Sequence, residues 1–310
     1  MLTWGSLNSR LRKLGFIDSW TVKVSGKQNK IISSVMEICL SVASLSIHDA
    51  EDGHENAIFI QGNNVSNGLG SLYSKQGSKG LNQDAANLYQ GYGVDDGALC
   101  GVFDGHGKNG QVVSELVCNQ LPSLLLSLKN ALSKVNFYMW KGACISVFEL
   151  MDKDIELQEI LDCSFSGTTA VQGQDLVIAN LGDSRAVLGK LTKNGVETIQ
   201  LTKDLPGFEA ERIRSCNGRV AALNHEPHVQ RVWLPHDHTQ GLAMSRAFGD
   251  FILKDHIIAI SEIKYHRLTS DDQFIILATD GVCDVLSNDQ VASIVWEAES
   301  EQAVARVVVE

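Results

Sequence analysis

The sequence predicts a layered sandwich of β-sheets and α-helices, of the α+β or α/β class, and three features predict it. Short apolar runs bounded by Gly and Asp recur along the chain, two long stretches of helical period lie between groups of these runs, and the runs lack strict alternation of apolar with polar residues. The last feature is the pattern of strands covered on both faces. In chain order, 98–103 (ALCGVF) reads as the first buried strand. Next, 110–128 and 134–160 place apolar residues at intervals of three and four over several turns, which predicts two adjacent helices. The runs 175–181 (DLVIANL), 184–188 and 273–279 (QFIILAT) then read as further buried strands.

Composition bounds the function. With 310 residues, 44% of them hydrophobic, the chain can bury a large core, which excludes a disordered tail protein. Lys and Arg number 26 against 37 Asp and Glu, a formal charge of −11, and no basic block could neutralise a phosphate backbone, so no nucleic-acid partner is expected. The acidic excess is either a solvated surface or a set of carboxylates gathered around a cation. Seven cysteines (39, 100, 118, 144, 163, 216, 283) form no C-x-x-C pair, which predicts a reduced intracellular protein with thiols buried as small apolar residues. The apolar stretch 31–47 is broken by Glu37 and several serines and falls short of the roughly 20 residues of a membrane span. No membrane association is expected. Residues 1–30 carry Arg10, Arg12, Lys13, Lys23, Lys27 and Lys30 against Asp18, as a transit peptide or a basic disordered extension would. Because 46–78 is polar and Gly-rich, residues 1–68 are expected to be a poorly ordered leader and 69–310 a single domain.

The chemistry-bearing signal is a repeated one. Asp104 in FDGHG, Asp183 in LGDSR and Asp280 in ATDG each end an apolar run with Gly beside them, and Asp84 in KGLNQDA follows a Gly by four residues. A carboxylate just past a buried strand is held rigidly, while an adjoining Gly lets the backbone turn and present its carbonyl. Oxygen-only donors select hard cations, Mg²⁺ or Mn²⁺. A single Asp-Gly is an ordinary turn, so the signal lies in several converging on one cleft. Other site types fail: there is no G-x-x-x-x-G-K loop and no strand-linked G-x-G-x-x-G. His225-Glu226-Pro227-His228 and His236-Asp237-His238 do not form H-E-x-x-H and read as a solvated loop, and Ser164 and Ser166 lack a G-x-S-x-G elbow. His106 reads equally as a general acid or a hydrogen-bonded turn residue.

The ordered set LCGVFDGHG, SGTTAV, LVIANLGDSRAVL, GLAMSRAFGD and FIILATDGVCDVLSN resembles the type 2C, or PPM-type, metal-dependent protein phosphatases, and the RVWLP and FGDF phrasing looks like their plant branch. The match runs from about Lys79 to the last residue. The resemblance implies an αββα sandwich, two antiparallel sheets face to face with helices outside, and two metal ions in a cleft at one end. It implies that Asp104 bridges both ions, that Gly105 lends its carbonyl, that Asp280 is a direct ligand and that Asp84 acts through a water. Gln83 stands where many members have Glu and would hold a metal-bound water. Lys79 would steady the phosphate and His106 would be the general acid, with Asp183 structural. The implied reaction is hydrolysis of phosphoserine and phosphothreonine in phosphoprotein substrates by a hydroxide shared between two Mg²⁺ or Mn²⁺ ions.

The sequence also departs from that pattern. At Glu310 the family continues to a last strand carrying a further carboxylate, so the C-terminal strand is expected to be missing and one metal more weakly held. Residues 171–174 and 204–207 look shortened, which predicts unpaired groups in a central strand ladder. Ser164 replaces an Asp that some members use for a third metal, although Asp162 lies close and Asp284 matches the other carboxylate. Two readings follow: an active phosphatase, or a catalytically weak, inactive or truncated relative that binds partners. Arg212, Arg214, Arg219 and Arg231, between 205 and 235, are either phosphopeptide contacts or solvated charges. A monomer in the cytosol or nucleus is the default expectation.

Overall fold

The computed structural model describes residues 38–42, 70–77, 80–90, 92, 98–131, 137–158, 163–164, 167–168, 170–174, 176–203, 207–236, 241–298 and 304–310. The rest of the expected leader, with Lys79 and Asp162, lies outside the described residues. In chain order the strands are β1 (Ile38–Val42), β2 (Leu72–Tyr73), β3 (Ala85–Gln90), β4 (Ala98–Phe103), β5 (Gly105–His106), β6 (Gly167–Thr168), β7 (Ala170–Gln174), β8 (Val177–Leu181), β9 (Arg185–Thr192), β10 (Gly195–Gln200), β11 (Arg219–Leu223), β12 (Glu226–Trp233), β13 (Phe248–Gly249), β14 (Glu262–Tyr265) and β15 (Asp272–Ala278). The helices are α1 (Gly110–Ala131), α2 (Phe137–Glu156), α3 (Gly207–Ser215), α4 (Asp280–Cys283), α5 (Asn288–Glu297) and α6 (Val304–Val309). All four apolar runs and both long helical stretches are therefore present, with ends shifted by a few residues.

Two five-stranded sheets carry the fold, ordered β14-β8-β7-β4-β3 and β10-β9-β15-β1-β2. Alternate residues of the central strands serve different cores, because successive side chains leave a strand on opposite faces. Cys100, Val102, Ile178, Ala186, Leu188, Ile275 and Leu277 meet between the sheets. Phe103, Ala179 and Leu181 point outward under α1 and α2, against Val113, Val117, Val147, Phe148 and Met151. On the far side Val187, Phe274, Ile276 and Ala278 pack under α5 and α6, against Val291, Val295, Val304 and Val308. The order is helix, sheet, sheet, helix. Both faces of β4, β8, β9 and β15 are apolar because both are buried, which is why their sequences do not alternate.

Three expectations are corrected. First, Ile38–Val42 falls inside the expected leader yet forms β1, which runs parallel to both β15 and β2; the other sheet is antiparallel throughout. The short apolar run ICLSV supplies backbone partners to the side of β15 away from β9, where buried amides and carbonyls need them. Second, the shortened segment 171–174 keeps its hairpin ladder, while β4 meets β7 only at Cys100, Gly101 and Val102; residues 204–206 of the other shortened segment lie outside the described residues. β7 pairs with β8 along its whole length, from Ala170 opposite Leu181 to Gln174 opposite Val177. Leu176 takes a left-handed φ of 51° there. Third, Cys100 is disulfide-bonded. Sequence spacing cannot foresee a pairing that folding creates. Cys118, Cys144 and Cys163 are buried and outside any disulfide, as expected.

Gly189 on β9 has a steric reason. A Cβ there would lie 2.3 Å from Cζ of Phe274, whose ring covers the outer face of the sheet. Phe148 of α2 stacks on Phe248 with ring centroids 5.4 Å apart and is fully buried. Phe148→Ala is expected to lower the unfolding free energy by about 3–5 kcal/mol, through lost transfer energy and the cavity left behind, measured by urea denaturation.

Candidate active site

Strand register builds this site. β3 and β4 are antiparallel with Ala85 opposite Phe103, so Asp84, just before β3, and Asp104, just after β4, stand at neighbouring strand ends. In the second sheet Ala278 of β15 lies opposite Arg185 of β9, which brings Asp280, after β15, beside the turn that holds Asp183. Each sheet thus delivers two aspartates, and all four meet at one end of the sandwich. Asp104 interacts with Asp84, Asp280 and Asp183 and shares a hydrogen bond with Asp280. Thr279 Oγ1 donates to Asp84 Oδ2 at 3.0 Å and ties the two sheets together. Asp84 also donates its backbone N–H to Asn82 Oδ1 at 3.1 Å.

The electrostatics follow from this crowding. Burial, then the charges of Asp84, Asp280 and Asp183, push the Asp104 carboxyl well above the usual carboxylate range. Burial and then Asp280 push Asp183 up to about 6, with a smaller contribution from Asp284; its own backbone N–H and nearby His106 act the other way. Asp183 Oδ1 is buried with no hydrogen-bond partner. Four carboxylates in one pocket cannot all ionise without positive charge among them, and an oxygen-only donor set suits a hard divalent cation. The fit is one of chemistry. Among the described residues, no three ligating side chains are gathered into a ready-made coordination sphere.

The turn after Asp104 is shaped by close packing. A Cβ on Gly105 would stand 2.3 Å from the carbonyl oxygen of Gln83 and 2.6 Å from that of Gly110, so only glycine fits. Gln83 Nε2 donates to the Gly107 carbonyl at 2.6 Å, and Ser114 Oγ of α1 donates to the Gln83 carbonyl at 2.5 Å. Gln83 therefore braces the Gly105 turn against the start of α1. Asp284 is exposed in the turn after α4.

His106 lies beside the cluster, its Nε2 2.7 Å from Asp250 Oδ2 and its Nδ1 buried without a partner. Asp250 escaped the sequence reading, although Gly249-Asp250 is the same Gly and Asp pairing that marked Asp104, Asp183 and Asp280. A second missed group is Glu209 on α3, 2% exposed. Burial alone would raise its carboxyl, but hydrogen bonds and charge from Arg246 and then Arg212 outweigh it and hold the group below the usual range. Arg212 also donates to the carbonyls of His256 and Ser245, at 2.8 and 3.1 Å. Arg231 binds Glu226 at 2.7 Å and the Gly241 carbonyl at 3.1 Å, and Arg219 binds the Leu234 carbonyl at 3.3 Å. Three of the four arginines singled out in the sequence thus hold the α3 and β11–β12 segment together. His225 and His228 are exposed on that hairpin, as a solvated segment requires.

Comparison with known proteins adds an independent line. The family model described as protein phosphatase 2C matches residues 71–310. "Probable protein phosphatase 2C 72" of Arabidopsis thaliana is 57% identical over 252 residues, covering 76% of this chain and 76% of that protein. "Probable protein phosphatase 2C 61" of the same plant is 52% identical, covering 83% and 82%. "Probable protein phosphatase 2C 12" of Oryza sativa subsp. japonica is 41% identical, covering 89% and 85%. Among solved structures, a serine-threonine phosphatase 2C from Toxoplasma gondii superposes with a TM-score of 0.62 at 25% identity, over 73% of this chain and 86% of that one. A C. elegans sex determining protein shares the fold with a TM-score of 0.61 at 23% identity, over 73% and 56%.

Stability should report the carboxylate crowding. A carboxyl raised from 3.8 to about 6, as Asp183 is, favours the fold fully below about pH 4, and that contribution is lost as pH rises through about 6. For Asp183 this amounts to about 3 kcal/mol, and Asp104 acts in the same direction. With EDTA present, the melting temperature is expected to fall between pH 4.5 and pH 7.5. Added Mg²⁺ or Mn²⁺ should raise it more at pH 7.5 than at pH 4.5, measured by differential scanning fluorimetry.

Proposed function

The chain belongs to the protein phosphatase 2C family and is a protein serine/threonine phosphatase, and from that premise we propose that its active site is the aspartate pocket where the two sheets end. The observation that carries this reading is the convergence of Asp84, Asp104, Asp183 and Asp280 from paired strand ends of both sheets, with Asp104 pushed far above its ordinary range. Two divalent cations, Mg²⁺ or Mn²⁺, would be held by Asp104 between them, by the Gly105 carbonyl and Asp280 directly, and by Asp84 through a water. When bound, they would supply Lewis acidity toward the phosphoryl oxygens and a water-derived nucleophile at neutral pH.

The chain's own residues do the rest. Thr279 keeps one Asp84 oxygen oriented across the sheets, and Gln83 keeps the Gly105 turn seated on α1. Lys79 would steady the phosphate. His106 would protonate the seryl or threonyl oxygen as it leaves, a step worth roughly 10²–10⁴ in rate. The retained oxygen donors favour turnover over the weak or inactive alternative. Phosphoproteins are the substrates, and the protein acts as a monomer in the cytosol or nucleus. The net charge of −11 speaks against nucleic acid, and among the described residues no helix is long and apolar enough to cross a membrane.

Asp104→Asn is expected to lower cation-dependent hydrolysis of a phosphothreonine peptide by at least about 100-fold, with circular dichroism unchanged. Full activity in a folded Asp104→Asn protein would sink the assignment of this pocket.

A further inference from the structure

His106 and Asp250 meet through a three-stranded sheet whose strands are two residues long. Its order is β13-β6-β5, with His106 opposite Gly167 on one side and Gly249 opposite Gly167 on the other. The residue between them is a glycine. His106 and the residue after Gly249 thus flank a strand position that offers no side chain to separate them. Asp250 is 1% exposed, and its carboxylate lies 2.7 Å from Nε2 of His106. The other ring nitrogen, Nδ1, is buried and has no partner, while the side chain as a whole is 18% exposed.

Asp250 holds this place in a backbone conformation few residues favour, with φ 52° and ψ 43° in the left-handed region. Glycine would adopt it freely, and Asn and Asp are the side chains that tolerate it best. Such a conformation persists where its surroundings over-determine it, and here they do. Asp152 of α2 accepts the Gly249 N–H at 2.9 Å. Lys254 ties the same turn down through the carbonyls of Gly249 and Ala247, at 2.7 and 3.0 Å, and through Asp152 at 2.8 Å. Leu253 N–H closes the turn onto the Asp250 carbonyl at 2.8 Å. Helix, lysine and turn together fix one carboxylate, and that carboxylate touches one histidine.

The geometry points to Asp250 as a positioning residue for His106: it accepts the Nε2 hydrogen and fixes the plane of the ring. This rests on the general-acid reading of His106 given above. As the bond from phosphorus to the seryl or threonyl oxygen breaks and one from phosphorus to a water oxygen forms, a proton from the His106 imidazolium passes to the departing oxygen. The ring recovers a proton from the water consumed. Asp250 takes none and keeps its hydrogen bond throughout, the arrangement by which a buried carboxylate orients an imidazole in other hydrolases.

Leaving-group dependence tests this, because an alkoxide needs a proton to depart and p-nitrophenolate does not. Asp250→Asn suits the left-handed backbone but weakens the acceptor, and Asp250→Gly removes the carboxylate without backbone cost. Both are expected to lower kcat on a phosphothreonine peptide at least tenfold, part of the roughly 10²–10⁴ a general acid contributes. The kcat on p-nitrophenyl phosphate should stay within about threefold and KM for the peptide should hold. His106→Gln should show the same selectivity. If it does and the Asp250 variants lower both substrates equally, or neither, the positioning role is wrong. If His106→Gln lowers both substrates equally, the general-acid reading fails first and this inference with it.

Discussion

Like charges held in one buried pocket are the constraint around which this molecule is organised. Asp104 stands against Asp84, Asp280 and Asp183, and Asp183 against Asp280; both carboxyls are pushed above their ordinary range, and the fold does not give way. Such repulsion is held only where the groups are fixed to something stiff. Here they stand at the ends of β3, β4, β9 and β15, strands locked into two sheets that are covered on their outer faces by α1 and α2 or by α5 and α6. Local stability given up at the strand ends is offset by the cores, and this crowding of carboxylates is what a divalent cation would relieve.

The turns around the pocket repeat this logic on a smaller scale. Gly105 brings the chain so close to Gln83 and Gly110 that no side chain could enter, and Gln83 and Ser114 then bind the turn to α1. Asp152 and Lys254 impose a left-handed conformation on Asp250 in a comparable way. At the edge of the site, the buried Glu209 collects Arg212, Arg246 and Ser245 and fastens α3 to the segment that leads into that same turn. Removing Glu209 would strand two guanidinium groups, so this carboxylate acts through structure and its ion pairs are not available to a phosphate.

The departures from expectation share a cause. β1 lies in the apolar stretch 31–47, inside the expected leader, and five residues suffice when a buried strand needs a ladder partner. β7 is short, and its hairpin closes with every one of its residues paired. Arg212, Arg219 and Arg231 read as phosphopeptide contacts or solvated charges in the sequence because composition cannot see carbonyls brought from elsewhere in the chain. In each case hydrogen-bonding demand from a distant segment outweighed a local propensity.

What the sequence determined by itself was the list of parts. Periodicity placed α1 and α2, apolar runs placed β4, β8, β9 and β15, and the recurrence of Asp beside Gly marked Asp104, Asp183 and Asp280. These signals are local: each depends on the faces a strand or helix must bury and on the turn that follows it. The tertiary structure alone decided how the parts meet. Register set Asp84 beside Asp104 and Asp280 beside Asp183, the packing of sheet on sheet joined the two pairs, and a glycine in a two-residue strand let Asp250 reach His106 over 144 positions of sequence. Repulsion, burial and hydrogen bonding act over a few ångströms in space, and no pattern along a chain records which distant residues will be that near.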